Sequence, residues 1–240
     1  MFKMKLFLSL LALGALVGLG AWFGLAPQRA AAEAAQTKVA VYVSIPRPAG
    51  VTDETLNAEF TRAIHLYAKV RGLERKYFTY SQTGFGGLYL FENEAAAKAH
   101  FNAAWLERIQ KTYGVKADPV YFSVPAVTAG AAQVAPSATN VATIIEIKTP
   151  WYATDGLVKK GLRDAIPTYA ATPHLIYKYF TQGPDRSFGG IYLWEDQASA
   201  EAFLGPAWHA RVTKRYGQAG KVTFLKAPVI MIQPVKSEKP

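Results

Sequence analysis

The chain repeats itself. Residues 85–114, FGGLYLFENEAAAKAHFNAAWLERIQKTYG, align without gaps on residues 188–217, FGGIYLWEDQASAEAFLGPAWHARVTKRYG, and 15 of the 30 positions are identical. Upstream, Leu73 and Lys76-Tyr77-Phe78-Thr79 match Leu175 and Lys178-Tyr179-Phe180-Thr181. A unit of about ninety residues used twice constrains the fold more than composition does, because its structure must accommodate a second copy of itself. A stretch of small residues, 126–140, lies between the copies and reads as a linker. The repeats are therefore placed at 36–125 and 141–234.

Each unit has one order of elements. Val39–Ile45 is rich in β-branched residues and predicts a strand. Thr52–Val70 carries Leu56, Phe60, Ile64 and Tyr67 at helical spacing, with Gly72 as a stop. Two strands, Leu73–Tyr80 and Gly86–Phe91, flank a short polar turn. Asn93, or Asp196 in the second unit, then caps one long helix on which Phe101, Trp105 and Ile109 recur every four residues, ending at Tyr113-Gly114. Val120–Val124 is the last strand. The pattern βαββαβ predicts an α+β fold of two tandem ferredoxin-like repeats, each an antiparallel sheet with both helices on one face. Closing the two bare faces on each other makes a pseudo-dimeric α/β barrel.

Strand alternation then assigns the enclosed face. Taking the aliphatic set Leu88 and Leu90 (Ile191 and Leu193) as helix-covered leaves Phe85, Gly87, Tyr89 and Phe91 facing inward, with Phe188, Gly190, Tyr192 and Trp194 in the second unit. Counting from Leu73 sends Lys76 and Phe78, and Lys178 and Phe180, to the same interior. Tyr42 and Glu146 follow from the first strand of each unit. The expectation is an aromatic chamber with one lysine and one tyrosine per copy, suited to a small apolar or aromatic ligand.

Composition narrows the chemistry. There is no cysteine, so disulfides, thiolate metal sites and a thiol nucleophile are excluded. Four histidines, His65, His100, His174 and His209, each lack a counterpart in the other unit and show no metal spacing. The net charge of +10 is spread over the chain without a run of five like charges, which favours solubility over a nucleic-acid patch. RNA-binding domains share βαββαβ, but Gly87 and Gly190 stand where their central stacking ring belongs, so no nucleic-acid partner is expected. At the N-terminus, Lys3 and Lys5 precede twenty uncharged residues, Leu6–Leu25, about enough for a helix to cross a hydrocarbon core. Residues 1–35 are read as a signal anchor or a cleaved signal peptide, with the body on the periplasmic side of the inner membrane or free in the periplasm.

The run Gly-Gly-Ile-Tyr-Leu-Trp-Glu-Asp-Gln-Ala-Ser-Ala-Glu-Ala-Phe at 189–203, preceded by Lys-Tyr-Phe-Thr at 178–181, resembles the YdhR-like family of proposed monooxygenases, within the dimeric α/β-barrel superfamily. The resemblance covers both repeats. It implies a barrel whose usual two subunits are fused into one chain, and oxygenase chemistry. Where the family has Pro-Gly before the second strand, this chain has Arg71-Gly72 and Thr172-Pro173.

Three activities follow as expectations. The first is a cofactor-independent oxygenase, with desolvated Lys76 or Lys178 as base and Tyr89 or Tyr192 bonding a substrate oxygen. The competing reading of those lysines is a pairing with Glu74 and Glu146, or a reach to the barrel rim. The second is a non-catalytic binding module or accessory subunit on a membrane protein complex. The third, from superfamily analogy, is haem binding.

Overall fold

The computed structural model describes residues 37–133 and 137–234. The hydrophobic segment 6–25 lies outside the described residues; among those described, no helix is long and apolar enough to cross a membrane.

The first half runs β1 (Lys38–Pro46), α1 (Asp53–Tyr67), β2 (Leu73–Tyr80), β3 (Gly84–Phe91), α2 (Glu94–His100), α3 (Ala103–Tyr113) and β4 (Val120–Ala129). The second runs β5 (Val141–Lys148), α4 (Asp155–Asp164), α5 (Ile166–Ala170), β6 (Leu175–Gly183), β7 (Ser187–Trp194), α6 (Gln197–Phe203), α7 (Pro206–Tyr216) and β8 (Lys221–Ile232). All neighbouring strands are antiparallel and the sheet closes on itself in the order β1-β3-β2-β8-β5-β7-β6-β4. Within each half the order is that of a ferredoxin-like unit. The seams between halves are β2 with β8 and β4 with β6, so the last strand of each half also bonds to the other half.

Two elements differ from the sequence reading. The long second helix of each half is broken. Phe101 leaves helical geometry and Asn102 starts α3, its side chain accepting a hydrogen bond from Trp105 N at 2.9 Å. In the second half α7 starts instead at Gly205-Pro206, with proline in its first turn and no side-chain cap. The break leaves Phe101 and Trp105 on one side, with their rings packed edge to face at 4.9 Å. Second, β4 does not stop at Val124. Past a register shift between Ser123 and Ala126 it continues along β6, so the first four residues of the expected linker are strand that closes the barrel.

The α1 N-terminus is tied across a seam. Asp53 accepts from Arg47 at 2.7 Å and from Lys226 of β8 at 2.9 Å, beside a surface groove of about 490 Å³. Those hydrogen bonds hold its carboxyl below the usual carboxylate range.

Candidate functional site

The faces of the sheet are assigned the other way round from the expectation. Phe78, Tyr89 and Phe91 are buried with Leu56 and Phe60 of α1 and Phe101 and Trp105 of the later helices. Tyr192 and Trp194 are buried with Trp208 and Val212 of α7, and Phe180 with Val158 and Leu162 of α4. Phe85 and Phe188 lie on that side too, edge-on to Tyr113 and Tyr216 at 5.5 and 5.1 Å. The barrel interior instead holds Tyr77, Leu88, Leu90, Phe122, Tyr179, Ile191 and Leu193.

The cause is local. The register shifts between Leu73 and Arg75, and identically between Leu175 and Tyr177. Glu74 and Ile176 are the extra residues of these β-bulges, and a one-residue slip exchanges the faces of every residue after it. Leu73 and Leu175 do face the helices, as counted, but Arg75 and Tyr77 turn inward and Lys76 and Phe78 outward. In β3 and β7 no bulge intervenes; there the aliphatic residues fill the barrel and the aromatic ones meet the helices. Tyr42 lies on the barrel side as expected, packed on its core. Glu146, on the same side of β5, takes a 3.1 Å ion pair from Lys221.

The sequence-predicted residues are nonetheless assembled, once in each half and beneath the helices. Lys76 is 2% exposed, and its Nζ lies 3.0 Å from the ring centroid of Tyr67, 4.0 Å from Phe78 and 4.6 Å from Tyr89. Lys178 is 3% exposed, at 3.0 Å from Tyr169, 4.3 Å from Phe180 and 4.5 Å from Tyr192. The rings of Tyr67 and Tyr89 lie 5.9 Å apart beside Lys76, and those of Tyr169 and Tyr192 lie 5.7 Å apart beside Lys178. Neither lysine meets a carboxylate among the described residues: Glu74 pairs with Lys38, and Glu146 with Lys221. Each ring face attracts an ammonium by about 0.5–2 kcal/mol, against a desolvation cost that can shift a fully buried lysine by several pKa units. Burial therefore drives both amines well below the ordinary lysine range. Burial also pushes the Tyr89 and Tyr192 hydroxyls well above theirs.

The double glycine belongs to this cage. A Cβ on Gly87 would sit 3.1 Å from Lys76 Cε and 3.3 Å from the Tyr89 ring; one on Gly190 would sit 3.0 Å from Lys178 Cε and 2.9 Å from Tyr192. Lysine, tyrosine and the second glycine recur together because the lysine stem lies in the slot the glycine leaves open.

The two cages differ at the rim. His100 of α2 stands by Tyr67, Tyr89 and Phe91, with ring centroids at 6.1, 6.1 and 5.8 Å. Burial, with the charges of Lys76 and Arg108, lowers it to about 4, and its Nε2 is buried without a hydrogen-bond partner. In the second half Phe203 fills the corresponding place, 5.1 Å from Trp194, whose indole donates to Thr143 at 3.0 Å. The second cage is filled by larger rings, with Phe203 where the first has His100.

Tyr67, Tyr169 and His100 were missed as site residues. The first two are legible in retrospect, since they stand 102 positions apart, as Lys76 and Lys178 do. Among the described residues no three histidine, aspartate or glutamate side chains converge as a metal site.

No known family model matches the sequence, and no curated protein does. Solved structures do. A proposed monooxygenase of Fusobacterium nucleatum aligns over 82% of this chain and 94% of its own, with a TM-score of 0.60 and 10% identity. A second, from Lactobacillus acidophilus, covers 82% and 97% at a TM-score of 0.53 and 12% identity. An anthrone oxidase-like protein covers 84% and 95% at 0.53 and 9%. At such identities the likeness is one of fold, and it spans both halves: the chain has the α/β-barrel fold of these proteins.

Proposed function

We propose that the chain is a monooxygenase-like protein that takes a small aromatic substrate in beside the Lys76 cage, between the helices and the sheet of its first half, and oxidises it without a cofactor. The observation that carries this reading is Lys76, a buried amine with no anion beside it, under a rim that holds the orphaned His100 Nε2. Burial favours the uncharged form of such an amine, which can accept a proton. A methylene between aryl or carbonyl groups loses its proton to Lys76, and the carbanion passes its electrons to dioxygen. Overall one methylene and one O₂ give one carbonyl and one water, so no external reductant is needed. The Tyr67–Tyr89 pair bonds the substrate oxygen, and neutral His100 lines the entrance.

The second half is read as the product of a tandem duplication in which Trp194 and Phe203 occupy the substrate's place. Residues 6–25 are read as the tether that holds the body at the periplasmic face of the inner membrane. The aromatic pair Trp151 and Tyr152, 87% and 64% exposed, suits a position near a membrane interface. Fractionation of cells should leave the full chain with membranes and release it on deletion of residues 1–25; a full chain found only in the soluble fraction would remove the tether.

Oxygen uptake with anthrone as probe tests the chemistry, since its methylene is acid and its quinone product is balanced as above. Lys76→Met should lower kcat/KM by roughly a hundredfold or more, while Lys178→Met leaves it within about threefold. The wild-type profile should rise with pH along a limb well below the 10.5 of free lysine, because only the unprotonated amine is active. His100→Phe, which copies the second half, should raise KM. Equal activity in Lys76→Met would leave the Lys76 cage a binding site without catalysis.

A further inference from the structure

The barrel axis carries an arrangement that the Lys76 cage does not use. Corresponding strands lie four places apart in the closed order and neighbours alternate in direction, so corresponding strands run parallel. A rotation relating the halves therefore has its axis along the barrel, and positions 77 and 179 face each other across it. There the rings of Tyr77 and Tyr179 stack at 5.7 Å, and the Tyr179 hydroxyl donates to that of Tyr77. Two residues earlier the match is broken: Arg75 faces Tyr177. The guanidinium carbon lies 3.8 Å from the Tyr177 ring centroid and 5.9 Å from that of Tyr179.

Arg75 has no counter-ion. No carboxylate pairs with it among the described residues, and the adjacent Glu74 is occupied by Lys38. Its guanidinium lies beside Tyr179 as well as Tyr177, and Nη1 is buried with no hydrogen-bond partner. The phenols cannot supply the missing negative charge. Burial raises Tyr77 well above its ordinary value, and raises Tyr179 to about 12 even against the pull of Arg75. Arginine cannot escape by releasing its proton. A cation held in this way costs free energy until an anion reaches it. Around it the walls are apolar and in part small: Leu90 and Leu193 are the cross-strand neighbours of Arg75 and Tyr177, with Ala40 and Ala142 beyond. Arg75 and Tyr177 are only half-buried, so part of each side chain meets solvent.

We infer that this part of the barrel binds the carboxylate of a small apolar acid, with the carboxylate on Arg75 Nη1 and the apolar body along Tyr177 and the leucines. The site is separate from the Lys76 cage, on the opposite face of the sheet.

Calorimetric titration of the full chain with benzoate, and with benzyl alcohol as the uncharged analogue, tests this. Benzoate should bind saturably at millimolar concentration or below and benzyl alcohol should not. Arg75→Met should weaken benzoate by roughly tenfold or more, the loss expected for a charge-assisted hydrogen bond. Lys76→Met should bind benzoate normally, which separates this site from the proposed catalytic site. No saturable benzoate binding, equal binding of the alcohol, equal binding by Arg75→Met, or loss of binding in Lys76→Met alone would each overturn the assignment. Should Arg75→Met fail to fold, the wild-type comparison of acid with alcohol, together with Lys76→Met, still decides it.

Discussion

Gly86→Ala and Gly189→Ala should each cost about 3 kcal/mol or more, near the upper end of single-substitution effects. These are the first glycines of the two Gly-Gly pairs, and neither has an unusual backbone angle. Their constraint is proximity. A Cβ on Gly86 would overlap the Val43 carbonyl oxygen of β1, and one on Gly189 the Ile145 carbonyl oxygen of β5. Backbone atoms at the centre of a paired sheet cannot swing aside as a lysine terminus can. The strands must separate where Ser44 stands opposite Gly86 and Glu146 opposite Gly189, straining the ladder on either side. Urea unfolding gives the test: a midpoint for either variant corresponding to less than about 1 kcal/mol would mean the strands yield easily. Gly50→Ala is the contrast, since no atom lies within 4 Å of its added Cβ; its positive φ of 79° leaves a modest conformational cost of about 1 kcal/mol.

The caged lysines should make the protein gain stability as the solution turns alkaline. Both amines are depressed by burial in the folded chain and ordinary in the unfolded one. Between the folded value and about 10.5, the unfolded chain holds protons that the folded chain has released. Stability therefore rises with pH through that window and falls as pH drops toward the folded value. Lys76→Met and Lys178→Met remove the penalty and keep the length of the side chain. Each should stabilise the protein at pH 7 by about 1–3 kcal/mol, the usual cost of an uncompensated buried polar group. For a domain of this size that is a rise in Tm of roughly 2–4 °C per kcal/mol. The double variant should lose most of the alkaline gain. A fall in Tm at pH 7 would instead mean that the ring faces outweigh desolvation and that the amines stay charged.

Much of this architecture was legible because it is local or repeated. The β-branched run of β1, the helical spacing in α1 and the shared Lys-Tyr-Phe-Thr and Phe-Gly-Gly segments suffice for element order and for pairing like residues across the halves. The orientation of the site was not legible. It depends on Glu74 and Ile176, which share no chemistry and carry no turn signal, yet each is the extra residue of a bulge. Once that residue is missed, every downstream face in β2 and β6 is inverted. The assumption that aliphatic residues meet helices then inverts β3 and β7 to agree. The errors were mutually consistent, and so the same residues still came out grouped: Lys76, Phe78, Tyr89 and Phe91 share a face under either assignment. The helix break at Asn102 was more accessible, since asparagine followed by a helical run is an N-cap signal and Gly205-Pro206 repeats it in other residues.

Joining both halves in one polypeptide also lifts a restriction that symmetry places on a barrel. In an assembly of two identical chains, whatever stands beside the rotation axis meets its own image. An arginine at position 75 would then oppose a second arginine, and two guanidiniums would repel at close range. Here Arg75 meets Tyr177, a pairing of unlike groups that no homodimer could present at that point. The same freedom lets His100 answer to Phe203. Covalent linkage thus permits one molecule to set an arginine against a tyrosine inside its barrel and a histidine where its other half has a phenylalanine.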